Sequence, residues 1–248
     1  MLNPHWIICA NKLRMVLNRS GCRTASNIRL RVALMNTTSF EKLLTTTRHW
    51  LKGLAAYDNR FYDVLQALDF FANIHKDELR KDGKTLGFYH QLNMLAFART
   101  QHRNLTDPAS VYIAILGHDA VEDYPERFEE ISNNIQQSDL RNICLLDKNR
   151  ASSFDSYMDA IAQDEVCSVV KGIDRIHNYS TMAGVFSTLK QESYAEAGRM
   201  YFLPMLKIAR RRFPRQEPLY ELLKSVMLMQ IHATDHLVDA LKRVEVGV

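Results

Sequence analysis

The stretch Asp107-Pro108-Ala109-Ser110-Val111-Tyr112-Ile113-Ala114-Ile115-Leu116-Gly117-His118-Asp119-Ala120-Val121-Glu122-Asp123 decides how this chain is read. It opens with an N-cap acid followed by proline, whose missing N–H and fixed φ suit the first helical position. Val111, Ala114 and Ile115 follow at helical spacing, so the segment is read as an apolar helix that delivers His118 and Asp119 at its far end. An imidazole and three carboxylates then fall within six residues. At i,i+4 spacing His118 stacks with Glu122 and Asp119 with Asp123. Such a pattern predicts that two of the four hold a cation while the other two face a water.

Helical periodicity extends outward in both directions. Upstream, Ser39 is read as the cap of a helix carrying Leu43, Leu44, Trp50 and Leu51. A helix over about 58–79 follows, with Phe61, Val64, Leu65, Leu68 and Phe71 three and four apart, ending at the turn signal Asp82-Gly83. Another starts near His90. Downstream, residues 138–155 read as a polar, flexible loop. A helix from about Gln163 carries Val166, Val169, Val170 and Ile173 beside Asp174, His177 and Asn178, and two long helices are expected over about 189–213 and 217–244. The expected fold class is all-α, a single helical domain.

Composition narrows the function. Hydrophobic residues make up 46% and charged residues 24% of the 248, ordinary values for a globular chain. No apolar run approaches the roughly 18–20 residues of a membrane span. Cys9, Cys22, Cys144 and Cys167 are scattered, which argues against a zinc ribbon or a disulfide scaffold and for a reducing compartment, so the expected location is cytoplasmic. Residues 1–34 hold six basic residues and no acid, and setting them aside leaves 26 basic against 28 acidic residues. The net charge of +4 therefore gives little support to nucleic-acid binding. This basic leader fits a transit peptide, a basic arm or translated upstream sequence, and Met35 is favoured as the functional start of a 35–248 domain.

His90 at a helix start and Asp174 on a helix with an apolar neighbouring face add candidate ligands to His118 and Asp119. Two imidazoles with two carboxylates suit Mn²⁺, Fe²⁺ or Zn²⁺. Four stretches in this order resemble the HD-domain phosphohydrolases, and more narrowly the hydrolase domain of the RelA/SpoT family and the small alarmone hydrolases. They are residues 67–83, ending in Arg80-Lys81-Asp82-Gly83; Tyr89-His90; Ile115-Leu-Gly-His-Asp-Ala-Val-Glu-Asp123; and Lys171-Gly-Ile-Asp-Arg-Ile-His-Asn178. Gln91 and Ile173 depart from the family pattern without removing a ligand.

The resemblance spans roughly residues 60–215. It implies His90, His118, Asp119 and Asp174 as ligands of Mn²⁺ or another divalent metal, and Glu122 and Asp123 as the acidic pair that positions and deprotonates water. It further implies that Arg80 and Lys81 flank the guanine and that Asn178 contacts the sugar-phosphate. The implied activity is removal of the 3′-pyrophosphate from guanosine tetra- and pentaphosphate. Alternatives are a phosphatase of the same superfamily acting on NADPH or a nucleoside phosphate, or a catalytically silent nucleotide-binding regulator. The expected partner is the guanosine nucleotide, with neither nucleic acid nor membrane, in a monomer or homodimer.

Overall fold

A computed structural model describes residues 25–246, with side chains from 39 to 244. Lys42–Val248 forms one compact unit. Of the basic leader 1–34, residues 1–24 lie outside the described residues, as do Cys9 and Cys22; residues 25–34 begin the first helix. The fold is all-α and the described residues contain no strand, only an isolated antiparallel bridge between Leu79 and Leu86. No helix among them is long and apolar enough to cross a membrane.

Twelve α-helices are described: α1 (Ala25–Ala55), α2 (Arg60–Ile74), α3 (Tyr89–Thr100), α4 (Pro108–Gly117), α5 (Ala120–Asp123), α6 (Phe128–Asn134), α7 (Gln137–Leu146), α8 (Phe154–Ala162), α9 (Glu165–Thr181), α10 (Thr188–Ala197), α11 (Leu203–Arg212) and α12 (Glu217–Val246). The centre of the compact unit is α4, in which every residue from Ala109 to Gly117 is buried. Helices α2, α3, α7 and α9 surround it, and α12 closes over α9, α10 and α11. A helix apolar on all sides is stable only when enclosed in this way. Its start is as expected: the Asp107 side chain accepts from the Ser110 N–H at 3.1 Å with Pro108 in the first turn.

Four expectations are corrected. Ser39 is not a cap, because α1 runs through it; neither Gly nor Pro interrupts Asn36-Thr37-Thr38 to stop the helix. Helix α2 ends at Ile74, five residues before the expected limit. Residues 138–155 are not a flexible loop: most of α7 lies there, seating Leu140, Ile143 and Leu146 in the core beside buried Asp139 and Asn142. Those buried polar residues masked the apolar stripe. The expected helix over 189–213 is split by a wide π-helical turn, Gly198–Phe202. Pro204 lacks the N–H that a regular turn would use, and a side chain at Gly198 would meet the Tyr179 hydroxyl.

Gly117 is the last residue of α4 before His118, and it shows how tightly that end is packed. A Cβ there would lie 2.5 Å from Phe71 Cζ and 2.7 Å from Ile143 Cδ1, both in fully buried side chains. Overpacking of this kind costs roughly 1–3 kcal/mol, which outweighs the gain of at most about 1 kcal/mol in helix propensity. Gly117→Ala is therefore expected to lower the melting temperature by roughly 2–4 °C per kcal/mol lost. Differential scanning calorimetry checks this, and an unchanged transition would refute the packing account.

Candidate metal centre

Three helices converge on one point. The C-terminal end of α4 presents His118, α3 presents His90 from its first turn, and the middle of α9 presents Asp174. One ligand atom from each of the three lies within 4.8 Å of the other two, and all three residues are buried. Asp119, the fourth expected ligand, stands beside this trio and not within that spacing; its Oδ2 lies 2.8 Å from His118 Nε2. The chain turns helical again directly after it, with the Asp123 N–H donating to the Asp119 carbonyl at 2.8 Å. That short helix, α5, carries Glu122 and Asp123.

The orientation of His118 follows from its partners. Its Nδ1–H donates to the Ile115 carbonyl at 2.9 Å, so Nε2 is the nitrogen turned towards the carboxylates of Asp119 and, at 3.8 Å, Asp174. Although buried, Nε2 makes no well-aligned hydrogen bond. Burial alone would lower the imidazole pKa, but Asp119 and then Asp174 outweigh it and push it up to about 9. The position thus attracts positive charge strongly, whether carried by a proton on Nε2 or by a cation in its place. Two imidazole nitrogens and a carboxylate oxygen aimed at such a position fit a divalent cation.

The surroundings organise the trio further. Asp174 Oδ1 accepts from Asn178 Nδ2 at 2.7 Å and faces His90 Nε2 at 3.2 Å, while Oδ2 pairs with Lys171 Nζ at 3.4 Å. Burial would raise the Asp174 pKa, but Lys171 and the two imidazoles hold it well below the usual carboxylate range. His90 Nδ1 lies 2.7 Å from His177 Nδ1, and burial lowers the pKa of both rings, that of His177 to about 3. A neutral His177 can therefore fix the tautomer of His90 and leave Nε2 free for a cation, the usual task of a partner behind a ligand histidine.

Above the trio opens a cavity of ≈670 Å³. The other residues singled out from sequence all reach it: Arg80, Lys81, Asn178, Asp119, Glu122 and Asp123. Arg80 and Lys81 sit on the turn between α2 and α3, which Asp82 braces by accepting from the N–H groups of Lys84 and Thr85 at 2.8 and 2.9 Å. Gly83 supplies the left-handed backbone at φ +65°. Arg80 Nη2 donates to Asn178 Oδ1 at 3.2 Å, and Lys81 lies over the Phe186 ring. Glu122 is paired with Lys148. Asp123 stands at the rim, its carboxyl pushed up to about 6 by partial desolvation and then by the carboxylates of Asp119, Glu78 and Glu122.

Several cavity residues escaped the sequence-based expectations. His177, three residues beyond Asp174, is not among the ligands expected from the sequence, yet it touches His90. Lys171, three residues before Asp174, is the counter-ion of that carboxylate; i,i+3 spacing to Asp174 marks both. Lys148 lay in the expected loop. Glu78 lines the cavity while bonded to His75 Nδ1 at 2.6 Å and to the Tyr124 hydroxyl at 3.2 Å. Nothing in the sequence signalled Lys148 or Glu78. No protein-family model and no curated protein matches the chain.

Proposed function

We propose that the chain is a metal-dependent phosphohydrolase of the HD type that removes the 3′-pyrophosphate from guanosine tetra- and pentaphosphate. The convergence of His90, His118 and Asp174 beside a cavity that His90 and Asp174 line, and that also exposes cationic side chains, carries this proposal. His90, His118 and Asp174 would hold the metal with Asp119 beside them, and Mn²⁺ suits their mixed nitrogen and oxygen donors. Bound there, the metal would supply Lewis acidity, making water more acidic and offsetting phosphoryl charge.

The chain's own groups account for the remaining steps. Asp123, poised near neutrality at the rim, accepts a proton from water. Glu122, held by Lys148, orients that water. The water oxygen bonds to phosphorus, the P–O bond to the ribose 3′ oxygen breaks, and that oxygen leaves with a proton. Arg80 and Lys81 hold the base, and Asn178 contacts the sugar-phosphate.

The deciding experiment incubates the purified protein and Mn²⁺ with ppGpp, NADPH and a panel of deoxynucleoside triphosphates, with Asp119→Ala as control. Pyrophosphate release from ppGpp, lost in the variant, is the expected result. Release of phosphate from NADPH alone would move the substrate to the rival superfamily activity, and metal binding without turnover would favour a silent regulator. A second expectation concerns Arg80→Ala, which removes a donor from the nucleotide pocket while leaving the trio intact. KM should rise on the order of tenfold with kcat little changed, as for a lost charged hydrogen bond. A fall in kcat at constant KM in steady-state assays would contradict that role.

A further inference from the structure

Arg175 is a buried cationic residue of the cavity whose charge has no carboxylate partner among the described residues. It is 8% exposed and lines the cavity. Lys148 and Lys171 in the same wall are paired with Glu122 and Asp174, but no carboxylate of the described residues lies within 4 Å of Arg175. Its Nε is buried without a hydrogen-bond partner. Its guanidinium carbon lies 4.0 Å from the centroid of the Phe202 ring and 4.2 Å from that of Tyr194. Tyr179, the nearby phenol, gives its proton to the Tyr194 carbonyl at 2.6 Å. Aromatic rings thus crowd the guanidinium carbon, and the Tyr179 hydroxyl takes one of its N–H groups, while Nε–H stays without a partner. Burying a charge without a counter-ion is costly, and ring contacts offset only part of that cost. The N–H edge of a guanidinium matches two oxygens of a phosphate.

Its place on α9 says which phosphate. Arg175 follows Asp174 and is turned about 100° from it around the helix. It shares a helix face with Lys171 four residues before and Asn178 three residues after. A group bound at Arg175 is therefore beside the trio, not on it.

We propose that Arg175 receives a second phosphoryl group of the substrate, one that is not hydrolysed, and so selects nucleotides phosphorylated at two separate positions. This rests on the phosphohydrolase reading for the identity of the substrate but not for the anion site itself. The site is tested first without turnover, by calorimetric titration of inorganic pyrophosphate into the full chain with metal chelated. Arg175→Met should weaken binding on the order of 10- to 100-fold, the loss of a charge-assisted hydrogen bond, with Arg175→Lys in between. In the wild-type protein the ¹⁵N resonance of Arg175 Nε, assigned by its absence in Arg175→Lys, should move on titration. That measurement decides the matter even if Arg175→Met fails to fold.

With turnover, Arg175→Met should raise KM by the same factor for guanosine 3′,5′-bis(diphosphate) and leave KM for guanosine 3′-diphosphate unchanged, at constant kcat. Unaltered pyrophosphate affinity, or a stationary Nε resonance, would show that Arg175 is a packing residue and overturn the proposal. Intact pyrophosphate binding without hydrolysis of any nucleotide would instead remove the phosphohydrolase reading and keep the anion site.

Discussion

Asp174→Ala is expected to abolish hydrolysis and to weaken divalent-metal binding by more than about 100-fold, beyond what loss of an outer partner costs. No other side chain in the site has as many roles: its two oxygens meet His90, Asn178 and Lys171. Its removal also leaves an ammonium stranded. Burial by itself lowers the Lys171 pKa, and Asp174 is the first of the groups that raise it again. A buried charge that loses its partner costs about 3–5 kcal/mol. The Lys171 side chain keeps 15% of its exposure, so the cost falls towards the lower end. Two effects are therefore mixed in the single variant, and a second substitution separates them. Lys171→Met in the Asp174→Ala background should recover much of the melting temperature and none of the metal affinity. Calorimetric titration with Mn²⁺ alongside thermal unfolding measures both. Retained metal binding in Asp174→Ala would remove the trio as the metal centre.

Asp123→Asn is expected to lower kcat by about 10²- to 10⁴-fold, the usual contribution of a positioned general base, with metal affinity nearly unchanged. The pH dependence has a definite sign. A base acts in its ionised form, and the Asp123 carboxyl, raised to about 6, is ionised above that value. Activity should therefore rise with pH along an acid limb whose midpoint lies at or below about 6. A cation beside Asp119 offsets one of the charges that raise it and moves the limb downwards. The limb should be absent from the residual activity of Asp123→Asn. An identical pH–rate profile in the variant would assign the limb elsewhere and leave Glu122 as the remaining candidate for the base.

How much of this was legible in the sequence depended on whether the signal was local. Asp107-Pro108 marked the start of α4 correctly, because an N-cap and a proline act through their own backbone. His118, His90 and Asp174 could be picked out as candidate ligands, since each sits at a helix end or beside an apolar face, where an unpaired polar group is costly. What failed was tertiary. The stripe of α7 was hidden because Asp139 and Asn142 are buried with it, Asp139 accepting from the Ser110 hydroxyl at 2.5 Å on a helix 29 residues earlier. The break after Ala197 has Pro204 as its local signal, but the close approach of Tyr179 and Ile231 that leaves no room for a side chain at Gly198 is tertiary. The pairing of His90 with His177 joins residues 87 positions apart. Arg175 could be seen as a charge beside Asp174, but its lack of a counter-ion became apparent only once the neighbouring helices were in place.

The amide of Asn178 has a further consequence. Its oxygen accepts from Arg80 and its nitrogen donates to Asp174, so one side chain is shared between the proposed nucleotide pocket and the trio. Two ligands that compete for, or jointly settle, the orientation of one group bind interdependently. Whatever factor by which the metal changes the affinity for nucleotide, the nucleotide must change the affinity for metal by the same factor. Asn178→Ala should shrink that reciprocal factor, which makes the amide a coupling element as well as a contact.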